Sequence, residues 1–156
     1  MQNSRRLFLR ASLAAGTAAV AAAAGLLVPQ TVLANWPKKA FETQDMETAI
    51  KEISSLSELT PSDLIKVKTP TVAENGAVVS VTVKHSIPDA ESISILVPKN
   101  TSKLAASYLL SGQIASFVTC RIKMRETSDV IAVVKAGGKL YSGKSRVKVT
   151  LGGCGG

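Results

Sequence analysis

The chain has 156 residues, 46% of them hydrophobic, 19% charged and only 4% aromatic, with two cysteines, one histidine and a formal net charge of +8. This length holds one domain plus a leader, and the basic excess is scattered without aromatic interleaving, which argues against nucleic acid as a partner. One histidine and two thiols are too few for a recognisable metal centre, and no Ser/His/Asp set, CxxC pair, phosphate loop or catalytic carboxylate pair can be assembled.

The first segment is a leader. Ser4-Arg5-Arg6-Leu7-Phe8-Leu9-Arg10 has paired arginines followed by Phe and Leu, the pattern of a twin-arginine export signal. The apolar run Ala11 to Val28 follows, and Val32-Leu33-Ala34 offers a small-residue cleavage site before Asn35. The expected location is the periplasm, with no membrane association once residues 1–34 are removed; an uncleaved anchor is the alternative. Cleavage leaves 122 residues at net charge +5, because Arg5, Arg6 and Arg10 depart. The twin-arginine route exports folded proteins, which suits a partner bound before export. The remaining basic excess gives a solvated surface or a mild attraction for small anions and acidic partners.

Residues 35–151 read as the folded domain. Met46, Ile50, Ile53 and Leu56 recur at helical spacing and predict a short helix over Thr43–Leu56, closed by Pro61. The period then becomes two. Val79, Val81 and Val83 alternate with Ser80, Thr82 and Lys84; Ile93, Ile95 and Val97 repeat the pattern, as do Cys120, Ile122 and Met124. Val130 to Val134 is a continuous apolar run, and Val147, Val149 and Leu151 alternate with Arg146, Lys148 and Thr150 in a last strand that ends at Gly152. Asn75-Gly76, Pro88-Asp89 and Gly137-Gly138 are turn dipeptides. These signals predict an all-β fold: an immunoglobulin-like antiparallel β-sandwich with a short N-terminal helix and a flexible C-terminal arm starting at the sandwich edge.

That arm, residues 152–156, is Gly152-Gly153-Cys154-Gly155-Gly156. Glycine is narrow and conformationally permissive, so such a segment suits access better than packing. Extended residues reach ~3.5 Å each, which puts the Cys154 thiol on the order of 10 Å beyond Leu151, far enough to enter a partner's channel. Lipidation fits poorly, since the cysteine is far from the signal and only two residues follow it. Cys120 is in phase with core residues and reads as a buried, inert thiol. A Cys120–Cys154 disulfide is an alternative in an oxidising compartment, as is a disulfide between two arms. His85 lies in phase with Val81 and Val83 and reads as a packed or half-exposed residue.

The run Val147 to Gly156 (VKVTLGGCGG) closely resembles the end of the SoxY family, the sulfur-carrier subunits of the Sox thiosulfate-oxidising system. Ala73 to Val79 (AENGAVV) with Pro70, Ile93 to Asn100 (ISILVPKN) and Arg121 to Met124 (RIKM) are also similar to that family, so the likeness spans the mature region. Ser80 departs from an expected proline, and Thr101-Ser102-Lys103 stands where a proline-rich stretch is expected. The resemblance implies a non-catalytic carrier without a resident cofactor, whose only cargo is sulfur bound covalently to Cys154. Gly152, Gly153, Gly155 and Gly156 would give access. A haem enzyme would conjugate thiosulfate to the thiol, a hydrolase would release sulfate, and a sulfane dehydrogenase, where present, would oxidise the remaining sulfur. It further implies a heterodimer with a SoxZ-like subunit. A periplasmic interaction module whose cysteine serves only in dimerisation is the competing reading.

Overall fold

The computed structural model describes residues 38–110 and 116–152. Arg5, Arg6, Gly153, Cys154, Gly155 and Gly156 lie outside the described residues.

Two short helices come first, α1 (Lys38–Glu42) and α2 (Met46–Ser54). Asp45 sets the start of α2: its backbone is extended and its carboxylate accepts from the Thr48 N–H at 2.7 Å, satisfying a donor that has no partner within the helix. Ser55 ends the helix in the left-handed conformation (φ 59°), its N–H donating to Lys51 O at 2.7 Å. The expected helix over Thr43–Leu56 is therefore trimmed at both ends by its caps. Its stripe of Met46, Ile50, Ile53 and Leu56 packs with Ala40, Leu96, Leu104, Val133 and Leu140.

Nine strands follow among the described residues: β1 (Leu59–Pro61), β2 (Ile65–Lys68), β3 (Val72–Asn75), β4 (Val79–His85), β5 (Ala90–Leu96), β6 (Leu104–Leu109), β7 (Phe117–Ile122), β8 (Ser128–Ala136) and β9 (Lys139–Leu151). They form a large sheet in the order β1-β9-β8-β5-β6, with β3 also on β9, and a small sheet β2-β4-β7. The two turn dipeptides on either side of β5 and β8 take left-handed backbone where the chain reverses, with φ 51° at Asp89 and 53° and 71° at Gly137 and Gly138. Gly137 and Gly138 make the two-residue loop between the paired residues Ala136 and Lys139, the kind of turn whose twist matches an antiparallel hairpin.

The period-two runs become the inner faces. Val79, Val81 and Val83 of β4 lie beside Ile122, Cys120 and Val118 of β7, and this surface meets Ile93, Ile95, Val97, Val130, Ala132 and Val134 of the large sheet. Each such Val or Ile contributes about 1.5–3 kcal/mol through removal from water, so the alternation is the main source of stability. The all-β sandwich is thus the observed architecture, with α1 and α2 covering the outer face of the large sheet.

Two details differ from the sequence expectation. The pairing is not wholly antiparallel, since β1 and β3 both run parallel to β9. For the same reason β9 is not an edge strand: β8 flanks one side, while β1 and then β3 flank the other. Alternation reveals which face a residue takes but carries no information about lateral neighbours. The sheets approach closely where β2 crosses β9, and Gly143 permits it. A β-carbon there would lie 2.8 Å from Ile65 O and 2.9 Å from its Cγ2.

Candidate functional site: the root of the C-terminal arm

Residues 152–156 follow β9 directly in sequence, and the last residues of that strand are held differently from the rest. The β8–β9 ladder stops at Ser128–Val147. Beyond it the Thr127 hydroxyl takes over and accepts from the Val149 N–H at 2.9 Å, while β3 continues on the opposite side through Ala73–Val149 and Asn75–Leu151. Thr150 Oγ1 donates to Glu74 O at 3.1 Å. The strand is therefore held on both sides as far as Val149 and on the β3 side as far as Leu151.

The Asn75-Gly76 turn closes this clamp. Asn75 Oδ1 accepts from the Ala77 N–H at 2.8 Å, which shapes the turn. Gly76 then donates its N–H to Leu151 O at 2.8 Å and accepts through its carbonyl from the Met124 N–H at 2.7 Å. The segment 123–125 is fixed in turn by Asn100, whose Nδ2 donates to Lys123 O at 2.7 Å and whose Oδ1 accepts from the Arg125 N–H at 2.9 Å. Asn100 is itself placed by its N–H to Val97 O and by Lys103 Nζ, which donates to Asn100 O at 2.8 Å. The chain thus passes Leu151 between two braced loops.

Gly152 sits against the backbone carbonyl of Arg125, so close that a β-carbon could not be accommodated without displacement. Its lack of a side chain is a condition of close approach, a role separate from the conformational freedom expected of the arm. Leu151, by contrast, is 71% exposed although it is in phase with the buried Val147. The core ends here, and the strand carries its last side chains into solvent. Next to Asn100 and Arg125 in sequence, Lys99 and Glu126 pair on the surface at 3.9 Å.

The three interior segments that resembled one family, Ala73–Val79, Ile93–Asn100 and Arg121–Met124, meet at this root although they are far apart in sequence. The bracing residues Gly76, Asn100 and Thr127 were not legible as site residues from spacing. The Asn-Gly dipeptide announced only a turn, and nothing local in Asn100 or Thr127 indicates which distant backbone groups they hold.

Cys120 lies elsewhere, on the inner face of β7 opposite Val81, half-buried and free of any disulfide. The alternative Cys120–Cys154 bridge involves Cys154, which lies outside the described residues. Burial pushes the Cys120 thiol up, and a hydrogen bond with Tyr108 works in the opposite sense. Burial, and then the Cys120 contact, push the Tyr108 phenol up to about 12. This thiol is weakly ionised at neutral pH and suited to packing. His85 is buried at the end of β4, and neither ring nitrogen has a hydrogen-bond partner.

No curated protein sequence matches the chain. The family model for sulfur oxidation protein SoxY matches residues 50–154, running from the helix through the whole sandwich to Cys154. The sulfur carrier protein SoxY from Chlorobium limicola f thiosulfatophilum is similar in structure, with 42% identity, a TM-score of 0.60, and coverage of 66% of this chain and 94% of that one. A superoxide reductase (neelaredoxin) from Ignicoccus hospitalis shares the fold alone, at 14% identity and TM-score 0.50 over 58% of this chain and 94% of that one. A match over most of the chain, ending on the arm's cysteine and joined by a carrier of the same family with close sequence, leads to one conclusion: the chain belongs to the SoxY family of sulfur carriers in sulfur oxidation.

Proposed function

We propose that this protein is a non-catalytic carrier in periplasmic thiosulfate oxidation, holding sulfur intermediates covalently on Cys154 while partner enzymes act on them. The observation that carries the reading is the clamped root. Leu151 is fixed by Gly76 and β3, and the five residues after it include four glycines and one thiol. A root fixed as far as Leu151, followed in sequence by glycines and one thiol, supports a carrier whose thiol is offered to partner enzymes.

The Cys154 thiolate and thiosulfate join through the sulfane sulfur, giving Cys–S–S–SO3⁻, and two electrons pass to a haem-containing partner. Water then cleaves the terminal S–S bond, releasing sulfate and two protons and leaving Cys–S–S⁻. A sulfane dehydrogenase, in systems that have one, removes six electrons and adds three water oxygens to give Cys–S–SO3⁻, which a second hydrolysis returns to the thiolate. The carrier supplies no acid, base or electron acceptor to these steps. Export by the twin-arginine route, directed by Arg5 and Arg6, suits a protein that leaves the cytoplasm folded and bound to a SoxZ-like subunit.

The test is removal of Gly152–Gly156. With periplasmic extract from thiosulfate-grown cells, thiosulfate-dependent sulfate release should require the intact chain. Full activity in the truncated form would favour the interaction-module reading instead.

A further inference from the structure

The two outer faces of the sandwich are unlike. Helices α1 and α2 cover the large sheet, whereas nothing among the described residues covers the outer face of β2-β4-β7. The strands of that small sheet, IKVK, VSVTVKH and FVTCRI, contain no carboxylate. Their register lays the outward side chains in rows: Lys66–Lys84–Phe117, then Lys68–Thr82–Thr119, then Ser80–Arg121. All are exposed except the half-buried Thr82, which shares a 3.1 Å hydrogen bond with Thr119. Lys66, Lys68, Lys84 and Arg121 take part in none of the ion pairs among the described residues.

Lys66 is directly opposite Lys84 on the neighbouring strand. Side chains so placed have β-carbons about 5 Å apart, and like charges there are destabilising. The fold gains nothing from this pair. An external counter-charge would, because uncompensated cations on one face steer and orient an anionic partner. Phe117 completes the same row at 52% exposure, an aromatic surface of the kind that anchors protein interfaces. The face also adjoins the arm. β4 begins at Val79, immediately after the turn that holds Leu151, so the Ser80–Arg121 row borders the root. The Lys66–Lys84–Phe117 row lies about 13 Å farther along the strands.

We infer that the outer face of β2-β4-β7 docks an acidic protein surface, one presenting clustered Asp and Glu carboxylates to Lys66, Lys68, Lys84 and Arg121 and an apolar recess to Phe117. That this partner is an enzyme receiving the arm rests on the proposed carrier role. The affinity of the face for carboxylates does not.

The experiment compares the purified protein with Lys84→Glu and with Lys139→Glu, the latter an equal charge change at the β8–β9 hairpin. Lys84→Glu relieves the Lys66 repulsion and raises the melting temperature. It lowers the rate at which periplasmic extract and thiosulfate load Cys154, read by intact mass, by about tenfold at low ionic strength, and the loss shrinks as salt screens the interface. Lys139→Glu stays within about twofold of the unmodified protein. Equal losses in both variants, or none in Lys84→Glu, overturn the docking face. If the unmodified protein does not load at all, the carrier role has failed, and the face is decided by NMR titration with a twenty-residue poly-L-glutamate peptide. Amide shifts confined to β2, β4 and β7, and weakened about tenfold in Lys84→Glu, support it. Shifts spread evenly over the lysines of the chain, or centred elsewhere, overturn it.

Discussion

Replacing Gly152 with alanine separates two roles that glycine can play at the start of the arm. If freedom alone mattered, alanine would restrict the unfolded chain and stabilise the fold by about 0.4–1 kcal/mol. The structure predicts the opposite sign. The new β-carbon would intrude on Arg125 O, a backbone atom that cannot rotate away. Its loop is also fixed, by the two Asn100 hydrogen bonds and by Met124 N–H to Gly76 O. Forced overpacking of this kind costs about 1–3 kcal/mol. For a domain of this size that lowers the melting temperature by roughly 3–12 °C, measurable by calorimetry or denaturant titration. Asn100→Ala alone loses two hydrogen bonds, about 1–2 kcal/mol, and frees the loop to move. The double variant should then lose less than the sum of the two, because the loosened loop absorbs the added carbon. A stabilised Gly152→Ala, or strict additivity in the double variant, would refute the clamped root.

Other consequences are equally direct. His85→Phe removes two ring nitrogens that are buried without partners and keeps a ring of similar size, so stability should hold or rise by about 1 kcal/mol in urea unfolding, whereas a clear loss would mean the ring is satisfied in solution. Burial holds the Cys120 thiol up, so at neutral pH iodoacetamide should modify Cys154 at least about tenfold faster than Cys120, as read by peptide mass. Because the Tyr108 phenol is pushed up to about 12, its ultraviolet titration should be displaced upward, and the fold should lose stability as pH rises from the ordinary tyrosine range towards that value. The hydrogen bond from the Thr48 N–H holds the Asp45 carboxyl below its usual range, so its stabilising effect is complete above that range and is lost as pH falls from there through the lowered value. Asp45→Ala should remove that part of the acid dependence of the melting temperature.

Much of the fold was legible because burial and period agree. Val79–Val83, Ile93–Val97 and Val130–Val134 read as strands and form the inner faces of the sandwich, and Met46, Ile50 and Ile53 read as a helix and pack as one. Three of the strands that were missed show why. β1 (LTP) and β3 (VAEN) are short and pair in parallel with a strand far along the chain, so no local pattern marks them. β6 (LAASYL) is rich in Ala and Ser, and becomes a strand through its ladder to β5, including a Ser94–Ser107 hydroxyl contact at 3.0 Å. At the site, the thiol and its glycines were evident as composition. The clamp was not, because Thr127 and Asn100 act through side-chain hydrogen bonds to backbone groups about 22–25 residues away, a distance that neither propensity nor period encodes.

The most direct measurement of the central claim is the intact mass of the purified protein before and after thiol reductant, beside Cys154→Ala, following incubation with thiosulfate and periplasmic extract. A carrier shows additions of sulfur or thiosulfonate that reductant removes and that are absent from Cys154→Ala. A chain that stays bare, or only dimerises through its cysteine, contradicts the carrier role.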